Sequence, residues 1–363
     1  MIAFTCASYI HLIRAFQMHT RMSEFKDNAD LYLTHPMFNN SDLVERIKNT
    51  NCFRKVFYVD ACENGHFKLY RTKKKFDDTI GKVDFYNKLV SFNIENVAAC
   101  FIYNQSCSND GFEFHCCEDA PTIYKTYIPK KEGITNPFTL MGLKKECFHI
   151  DAWWTSIPEL MKIPSAFTNK VYKLPPIDIN DFDLLKQLNY IFGYKKIAEL
   201  NSADILIMEE SHYTDGLLPG NDDFEIFKAI KEHYIDKKIF IKLHPRTKIN
   251  RFKNHIDVLP ASEFPWELIV WNRILSSPKP LLQIGICCGT LVSDKTLFDY
   301  EGPKIALMRM FENKLISINS SRVDNELIKS HELFKNSLRN PSNFCMPNNL
   351  KEAMDELDMF LKY

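Results

Sequence analysis

Short apolar runs alternate with longer amphipathic segments along most of the 363 residues, and this alternation restricts the fold more than any other feature. The short runs are typical of buried strands, whereas the longer segments repeat their apolar residues at helical spacing. Strands separated by helices indicate βαβ units and a mostly parallel sheet. The sequence therefore predicts an α/β protein.

The first half of the chain contains five candidate strands and two candidate helices. Tyr9, Leu12 and Phe16 share one face of the first helix, and Ser41 is a suitable N-cap for the second. We expect strands at residues 2–5, 29–33, 55–59, 97–103 and 111–117, and helices at residues 9–22 and 42–48.

A proline-rich segment at residues 157–183 divides the chain, because proline interrupts regular structure. The length also fits two domains. We expect one domain at residues 1–175, a second at 176–345 and a C-terminal amphipathic helix at 346–363, with a ligand cleft between the two domains. In the second half we expect strands at 204–208, 238–243, 280–286 and 304–308, and helices at 182–192, 223–233, 266–272 and 350–361.

Charge and composition exclude several classes of protein. The 46 Lys and Arg residues balance 46 Asp and Glu, which argues against a nucleic-acid partner held by phosphate neutralisation. Only 11 glycines occur, and neither a dinucleotide fingerprint nor a P-loop is present. No apolar run approaches the roughly 20 residues that span a bilayer, and the N-terminus lacks a signal-peptide pattern. The 11 cysteines show no C-x-x-C spacing, which favours reduced thiols in a cytoplasmic protein.

The strongest local motif is a strand that ends in His244 and Pro245. In open α/β sheets, ligands bind beyond the carboxyl ends of strands, and proline helps to aim the imidazole as the chain leaves the sheet. Lys242 and Arg246 add positive charge on either side. A histidine beside two cations suits a phosphate-bearing leaving group; a strand end with solvated basic residues is the alternative. The dipeptide His35-Pro36 lacks flanking cations.

Two later segments could bind other parts of a nucleotide. Glu267 falls in the first turn of a helix that begins after Pro265, where it could accept hydrogen bonds from ribose hydroxyls or only favour the helix dipole. Gly289, Thr290 and Ser293 follow an apolar strand. A helix start with amides and a hydroxyl binds phosphate, although an ordinary strand-to-helix turn has the same composition.

Two acidic segments are candidates for a general base, a role worth roughly 10²–10⁴ in rate. Glu118 and Asp119 come at a strand end in the first half. Asp215 lies in the loop after the strand at 204–208, and Gly216 follows it. For Glu118 and Asp119 the alternative is a plain acidic turn. For Asp215 the alternative is an ordinary Asp-Gly turn.

In this order, the motifs resemble those of the bacterial GT-B sialyltransferases, especially the lipooligosaccharide sialyltransferases and capsular polysialyltransferases. The chain differs from the family pattern in having Ala120 in place of a glycine and Gly289 in place of a first hydroxyl. The matching segments are Glu118-Asp119-Ala120, His244-Pro245, Pro265-Trp266-Glu267 and Gly289-Thr290.

The resemblance implies two Rossmann-like domains that face a central cleft, the GT-B type. It implies an inverting, metal-independent transferase without cofactor that moves sialic acid from CMP-sialic acid to a glycan acceptor of a lipooligosaccharide or cell-surface polysaccharide. The base would be Asp215 by one branch of the family and Asp119 or Glu118 by the other. His244 would bind the CMP phosphate. The other substrate-binding candidates are Lys242, Pro245, Arg246, Glu267, Gly289, Thr290 and Ser293.

Two alternatives stay open at this point. One is a GT-B transferase that uses another nucleotide sugar, and the other is a non-catalytic protein of the same fold that binds a nucleotide sugar. The resemblance also implies a cytoplasmic location with no nucleic-acid partner. It leaves open a peripheral position at the inner face of the membrane and a homodimer.

Overall fold

The computed structural model describes residues 1–60, 68–93, 96–119, 150–161, 170–218, 220–244, 246–247, 249–260, 264–312, 314 and 325–362. The chain divides into two compact units. The N-terminal unit comprises Met1–Pro175 and Asp181–Tyr194, and the C-terminal unit comprises Pro176–Asn180 and Lys195–Tyr363. The chain therefore passes between the units three times, where the sequence predicts a single boundary at 175.

The N-terminal unit is built on a seven-stranded sheet in which every pair of neighbours is parallel. The strand order is β3-β2-β1-β4-β5-β6-β7, which is the doubly wound order of Rossmann-like domains. The strands are β1 (Ile2–Cys6), β2 (Ala29–Leu33), β3 (Lys55–Tyr58), β4 (Lys88–Ser91), β5 (Glu113–Cys117), β6 (Ala152–Thr155) and β7 (Val171–Lys173).

The helices of this unit cover a core of aromatic and aliphatic side chains. Phe76 and Phe101, from two different helices, pack with ring centroids 4.3 Å apart. The helices are α1 (Tyr9–Arg21), α2 (Ser41–Asn49), α3 (Lys68–Thr79), α4 (Val97–Ser106) and α5 (Phe182–Phe192), with short 3₁₀ turns at Ser23–Phe25, Pro36–Phe38 and Pro158–Leu160.

Three local predictions in this unit are wrong. The run at 97–103 is the helix α4 rather than a strand, because nearly all of its side chains are buried and a continuous apolar run has no period that separates the two structures. Asn40, not Ser41, caps α2, and its side chain accepts from the amides of Asp42 and Leu43. The proline-rich segment also contains β7, which pairs with β6.

Helix α5 lies after the proline-rich segment but packs within the N-terminal unit. Arg46 of α2 donates from Nε to the carbonyl of Ile191 at 2.6 Å. Tyr9 of α1 meets the ring of Phe192 at 5.1 Å between centroids. These contacts explain why the chain returns to the N-terminal unit before it finally leaves.

The C-terminal unit repeats the same topology on a six-stranded parallel sheet, with the order β10-β9-β8-β11-β12-β13. The strands are β8 (Ile205–Met208), β9 (Ile239–Lys242), β10 (Asp257–Val258), β11 (Leu282–Gly285), β12 (Lys304–Ala306) and β13 (Phe344–Cys345). The helices are α6 (Ala198–Ser202), α7 (Asp222–His233), α8 (Trp266–Ser276), α9 (Thr290–Phe298), α10 (Asn325–Ser337) and α11 (Leu350–Leu361), with 3₁₀ turns at Leu307–Phe311 and Pro341–Asn343.

The final helix packs within the C-terminal unit. The hydroxyl of Tyr234, just after α7, donates to the carbonyl of Met354 at 3.0 Å and to a carboxylate oxygen of Asp358 at 2.8 Å, both in α11. Within the part of the chain that the structure describes, no helix has the length and apolar character needed to cross a membrane.

Candidate functional site

Both sheets have a topological switch point, where the strand order reverses from one side to the other. It lies between β1 and β4 in the N-terminal unit and between β8 and β11 in the C-terminal unit. Ligands of open α/β sheets bind beyond the carboxyl ends of the strands at this point. Most of the polar groups described below lie at or after the carboxyl ends of these strands or of their neighbours β5 and β9.

His244 leaves β9 with its backbone and its ring both held in place. Its amide donates to Oε2 of Glu209 at 2.7 Å. Its ring nitrogen Nδ1 accepts from the amide of Arg246 at 3.1 Å. Because Nδ1 accepts a hydrogen bond, the proton of the neutral ring lies on Nε2. Nε2 is therefore the atom that can donate to an anionic ligand.

The surroundings of His244 keep its ring neutral at pH 7. Burial disfavours the charged form and, together with the Arg246 guanidinium, lowers the pKa of His244 to about 4. Asp215 opposes this shift, and Lys242 adds to it. A neutral imidazole serves as a hydrogen-bond donor to a phosphate rather than as a source of a full proton.

Glu209 is the group that sequence reasoning missed at this strand end. Its Oε2 accepts both from the His244 amide and from the Thr247 hydroxyl, each at 2.7 Å. Burial raises the pKa of Glu209. The carboxylate thus ties the loop after β9 to the end of β8. A polar run from Glu209 to His212 directly after an apolar strand was the available signal.

Asp215 lies in the loop after β8, and its carboxylate contacts Ser211 and Arg246. Its Oδ2 accepts from the Ser211 hydroxyl at 2.7 Å and pairs with Nη2 of Arg246 at 3.0 Å. The same guanidinium nitrogen donates to the Ser211 oxygen at 2.9 Å. The side chain of Arg246 is 66% exposed, so this cation lies beside His244 and open to solvent.

The remaining substrate-binding candidates in this unit differ in accessibility. Lys242 is buried in β9. Glu267 lies in the first turn of α8, and burial raises the pKa of its carboxyl group. The electrostatic influence of Lys242 on Glu267 opposes that rise, which places these two predicted residues near each other. Pro245 lies outside the described residues.

The turn after β11 differs in part from the predicted phosphate site. Gly289 is exposed and occupies the N-cap position of α9. The Thr290 hydroxyl donates to the sulfur of Cys288 at 2.9 Å. Ser293 is buried, and its hydroxyl donates to the Thr290 carbonyl at 3.1 Å. Gly289 and Thr290 are thus the residues of this group that present polar atoms at the helix start.

The amides just before that turn are already occupied by a carboxylate. Oε1 of Glu210 accepts from the amides of Ile286 and Cys287, each at 2.8 Å. Among the described residues, Glu210, His212 and Cys287 also form a group whose ligand atoms could hold a metal ion.

In the N-terminal unit, Asp119 follows β5 and pairs with a buried histidine that the sequence did not single out. Nε2 of His11 lies 2.5 Å from Oδ1 of Asp119. Nδ1 of His11 accepts from the Ala7 amide at 3.1 Å, so the ring proton lies on Nε2 and is donated to the carboxylate. His11 stacks on Phe92 after β4. The Asp119 side chain is 41% exposed, and it is therefore an oriented, accessible carboxylate.

The neighbouring Glu118 has a different environment, because its carboxylate is buried and surrounded by donors. Oε2 accepts from the Thr155 hydroxyl at 2.9 Å and from the Ser156 amide at 2.7 Å. Oε1 accepts from Nη2 of Arg14 at 3.0 Å and also from the Ser156 hydroxyl. Arg14 is 2% exposed. This arrangement joins α1, β5 and β6.

Comparison of the chain with known proteins gives matches among solved structures only. No protein-family model and no curated protein matches it. Among solved structures, it is similar to a UDP-GlcNAc 2-epimerase from Methanocaldococcus jannaschii, determined with UDP-GlcNAc and UDP; the TM-score is 0.54, the identity 14%, and the match covers 100% of this chain and 93% of that one.

Two further solved structures match this chain over comparable lengths, with lower TM-scores. A UDP-N-acetylglucosamine 2-epimerase from Rickettsia bellii gives a TM-score of 0.48 at 13% identity, covering 100% of this chain and 97% of that one. MurG from Acinetobacter baumannii gives a TM-score of 0.39 at 11% identity, and the match covers 100% of this chain and 99% of that one. None of the three is a sialyltransferase. The two parallel-sheet α/β units and the likeness to the Methanocaldococcus structure confirm the predicted fold class: the chain has the GT-B fold.

Proposed function

We propose that the protein is a glycosyltransferase that uses a nucleotide sugar, with CMP-sialic acid as donor and a glycan as acceptor. The observation that carries the proposal is His244: a neutral imidazole at the carboxyl end of β9, with its Nε2 proton available and an exposed Arg246 beside it. These groups suit an anionic phosphate that leaves with the nucleotide. The motif order stated above supports CMP-sialic acid.

In this proposal the C-terminal unit holds the donor. His244 donates a hydrogen bond from Nε2 to the phosphate, and Arg246 adds positive charge. Gly289 and Thr290 contribute the start of α9 as a further phosphate contact, and Glu267 accepts from ribose hydroxyls. Lys242 and Ser293 shape the same region through the strand and the helix to which they belong, and Pro245 stays a candidate through the family resemblance.

We propose Asp119 as the general base. It is accessible and oriented by His11, whereas Glu118 already accepts from three residues and has a structural role in this account. Asp215 is the second candidate. Its carboxylate is already engaged by the Ser211 hydroxyl and the Arg246 guanidinium.

The reaction then proceeds with inversion in one displacement. Asp119 accepts the proton of the acceptor hydroxyl as that oxygen attacks the anomeric carbon. The bond between the anomeric carbon and the phosphate oxygen breaks, and CMP leaves with the bonding electrons. The hydrogen bond from His244 strengthens as negative charge develops on that phosphate, and such transition-state donors are worth roughly 10²–10³ in rate.

A uridine-diphosphate sugar is the second candidate donor, because the Methanocaldococcus structure of the same fold is in complex with UDP-GlcNAc and UDP. A binding protein without transferase activity is the remaining alternative. A cytoplasmic location at the inner membrane face and a homodimer belong to this proposal through the family resemblance alone.

A donor screen tests the proposal. The full-length protein is incubated with CMP-, UDP- and GDP-sugars and a galactose-terminated acceptor, with and without EDTA, and nucleotide release is measured. We expect release of CMP from CMP-sialic acid under both conditions. Release of only UDP or GDP would overturn the donor assignment. CMP binding without turnover of any donor would overturn the enzyme proposal in favour of a binding protein.

A further inference from the structure

Three side chains with metal-binding atoms meet at the switch point of the C-terminal unit. Glu210 and His212 follow β8, Cys287 follows β11, and their ligand atoms all lie within 4.8 Å of one another. These residues are called the Cys–His–Glu cluster below. We propose that the Cys–His–Glu cluster binds a transition-metal ion and that Zn²⁺ is the ion that suits it best.

The three ligand atoms have the spacing that a tetrahedral ion requires. Sγ of Cys287 lies 3.2 Å from Oε2 of Glu210 and 3.8 Å from Nε2 of His212, and the last two atoms are 3.4 Å apart. A point equidistant from these atoms lies about 2.0 Å from each in their plane. An ion displaced slightly out of that plane reaches the roughly 2.0–2.3 Å bond lengths of Zn²⁺ to nitrogen, oxygen and sulfur ligands.

The direction of the contacts distinguishes a metal site from a nucleophile–base–acid triad. In a triad, the acid orients one ring nitrogen of the histidine and the nucleophile uses the other. Here the carboxylate of Glu210 and the sulfur of Cys287 both approach Nε2 of His212. Three potential ligand atoms therefore converge on one point, which is the geometry of coordination.

The carboxylate is held in the orientation that coordination needs. Oε1 of Glu210 accepts from the amides of Ile286 and Cys287, each at 2.8 Å. These two bonds fix the carboxylate plane and leave Oε2 directed at the other two ligands. Outer hydrogen bonds of this kind orient metal ligands and typically affect affinity 10–100-fold.

Charge and exposure also suit a divalent ion. A thiolate and a carboxylate together supply two negative charges, and the imidazole binds in its neutral form. The side chains of His212 and Glu210 are 14% and 9% exposed, so the cluster is neither sealed nor freely solvated. Three protein ligands leave the fourth position of a tetrahedral ion for water.

The proposal is tested by metal binding to the full-length protein, with any affinity tag removed and the metal stripped by EDTA. Zn²⁺ is measured by equilibrium dialysis, and Co²⁺ is used as a spectroscopic probe, since a cobalt–thiolate bond gives a near-ultraviolet charge-transfer band. We expect one Zn²⁺ per chain and this band in the wild type. Cys287→Ser should abolish the band, and Glu210→Gln should weaken Zn²⁺ binding at least tenfold.

Cys288→Ser is the matched control, because it changes the adjacent thiol, whose sulfur is outside the cluster. It should retain the stoichiometry and the band. Circular dichroism of the metal-free variants shows whether each one folds. Wild-type protein that binds no Zn²⁺, or equal loss of binding in Cys287→Ser and Cys288→Ser with both folded, would overturn the proposal. Neither readout depends on which donor the enzyme uses.

Discussion

The two units carry the same dipeptide at the same place in the same topology, and they surround it differently. His35-Pro36 follows β2 and His244-Pro245 follows β9, each on the second strand of its unit. In both loops the histidine Nδ1 accepts from the amide two residues later, at 3.2 Å from Met37 and at 3.1 Å from Arg246. The hydrogen bond from this amide to the histidine Nδ1 is therefore common to both loops.

The difference lies in what surrounds each histidine. Beside His244, the residue after the preceding strand is Glu209, which accepts from the His244 amide. In the N-terminal unit the equivalent residue is Ala7, whose amide donates to His11 instead. The loop after β9 thus places a histidine beside an exposed cation, whereas in the N-terminal unit a histidine orients the carboxylate of Asp119. This difference supports our proposal that the C-terminal unit binds phosphate and the N-terminal unit supplies the base.

The largest expected effect separates the two candidate bases. Asp119→Asn should reduce turnover by roughly 10²–10⁴, because the acceptor loses its base. Asp215→Asn, which makes the same change from carboxylate to amide in the other unit, should reduce turnover about tenfold or less. Steady-state rates of both purified variants decide between them. A large loss in Asp215→Asn with near-normal turnover in Asp119→Asn would reverse the assignment.

The two histidines of the shared dipeptide provide the second comparison. His244→Ala should reduce kcat by roughly 10²–10³ through loss of a transition-state hydrogen bond. His35→Ala removes the same side chain from the same turn in the N-terminal unit and should leave kcat within a few-fold of the wild type. Circular dichroism checks that both variants fold. Equal effects on kcat would show that the dipeptide is structural in both units.

The pairs Arg14–Glu118 and Arg246–Asp215 differ in burial and should contribute differently to the free energy of unfolding. Glu118→Gln leaves the buried Arg14 without its carboxylate, and breaking a buried pair in this way costs about 3–5 kcal/mol in the free energy of unfolding. The pair between Asp215 and the exposed Arg246 should contribute less than about 1 kcal/mol. Denaturant titrations of Glu118→Gln and Asp215→Asn measure both. Similarly small losses in the free energy of unfolding of both variants would contradict the structural role of Glu118.

Buried histidines in both units predict acid sensitivity. Burial, with a contribution from Lys88, lowers the pKa of His115 in β5 to about 4. The unfolded chain, with a histidine pKa near 6.5, then takes up more protons than the folded one between these values. Stability is therefore full above about pH 6.5 and falls towards pH 4, by at most about 3 kcal/mol from His115.

Hydrogen exchange of the β5 amides at pH 7 and pH 5 measures this effect. We expect faster opening at the lower pH in the wild type, after correction for the intrinsic exchange rate, and a weaker pH dependence in His115→Gln. An unchanged pH dependence in that variant would show that other groups control the acid sensitivity of the N-terminal unit.

Many of the strands and helices were predictable because their periodicity is local, whereas β4, β6, α3 and α10 were not predicted. Strand β2 and helices α5 and α11 lie where the sequence places them. Helix α4 was not predictable, since a run from Val97 to Tyr103 that is apolar on every side fits a buried strand equally well.

A candidate site residue was predictable only where the sequence immediately around it indicates its role. His244 follows a strand directly and was found from the sequence. Glu209 and His11 were missed, because their partners lie 35 and 108 residues away in the chain and are brought together by the strand order. The same is true of the Cys–His–Glu cluster, whose cysteine and acid are separated by 77 residues.

Hydrogen exchange of the full-length protein with and without CMP tests directly whether the C-terminal unit binds the nucleotide. We expect slower exchange on CMP binding in the segments that follow β9 and β11, around His244 and Thr290. We expect no change around His35 in the loop after β2. Protection of the N-terminal loop, or no protection after β9 at a CMP concentration that saturates binding, would contradict the assignment of nucleotide binding to the C-terminal unit.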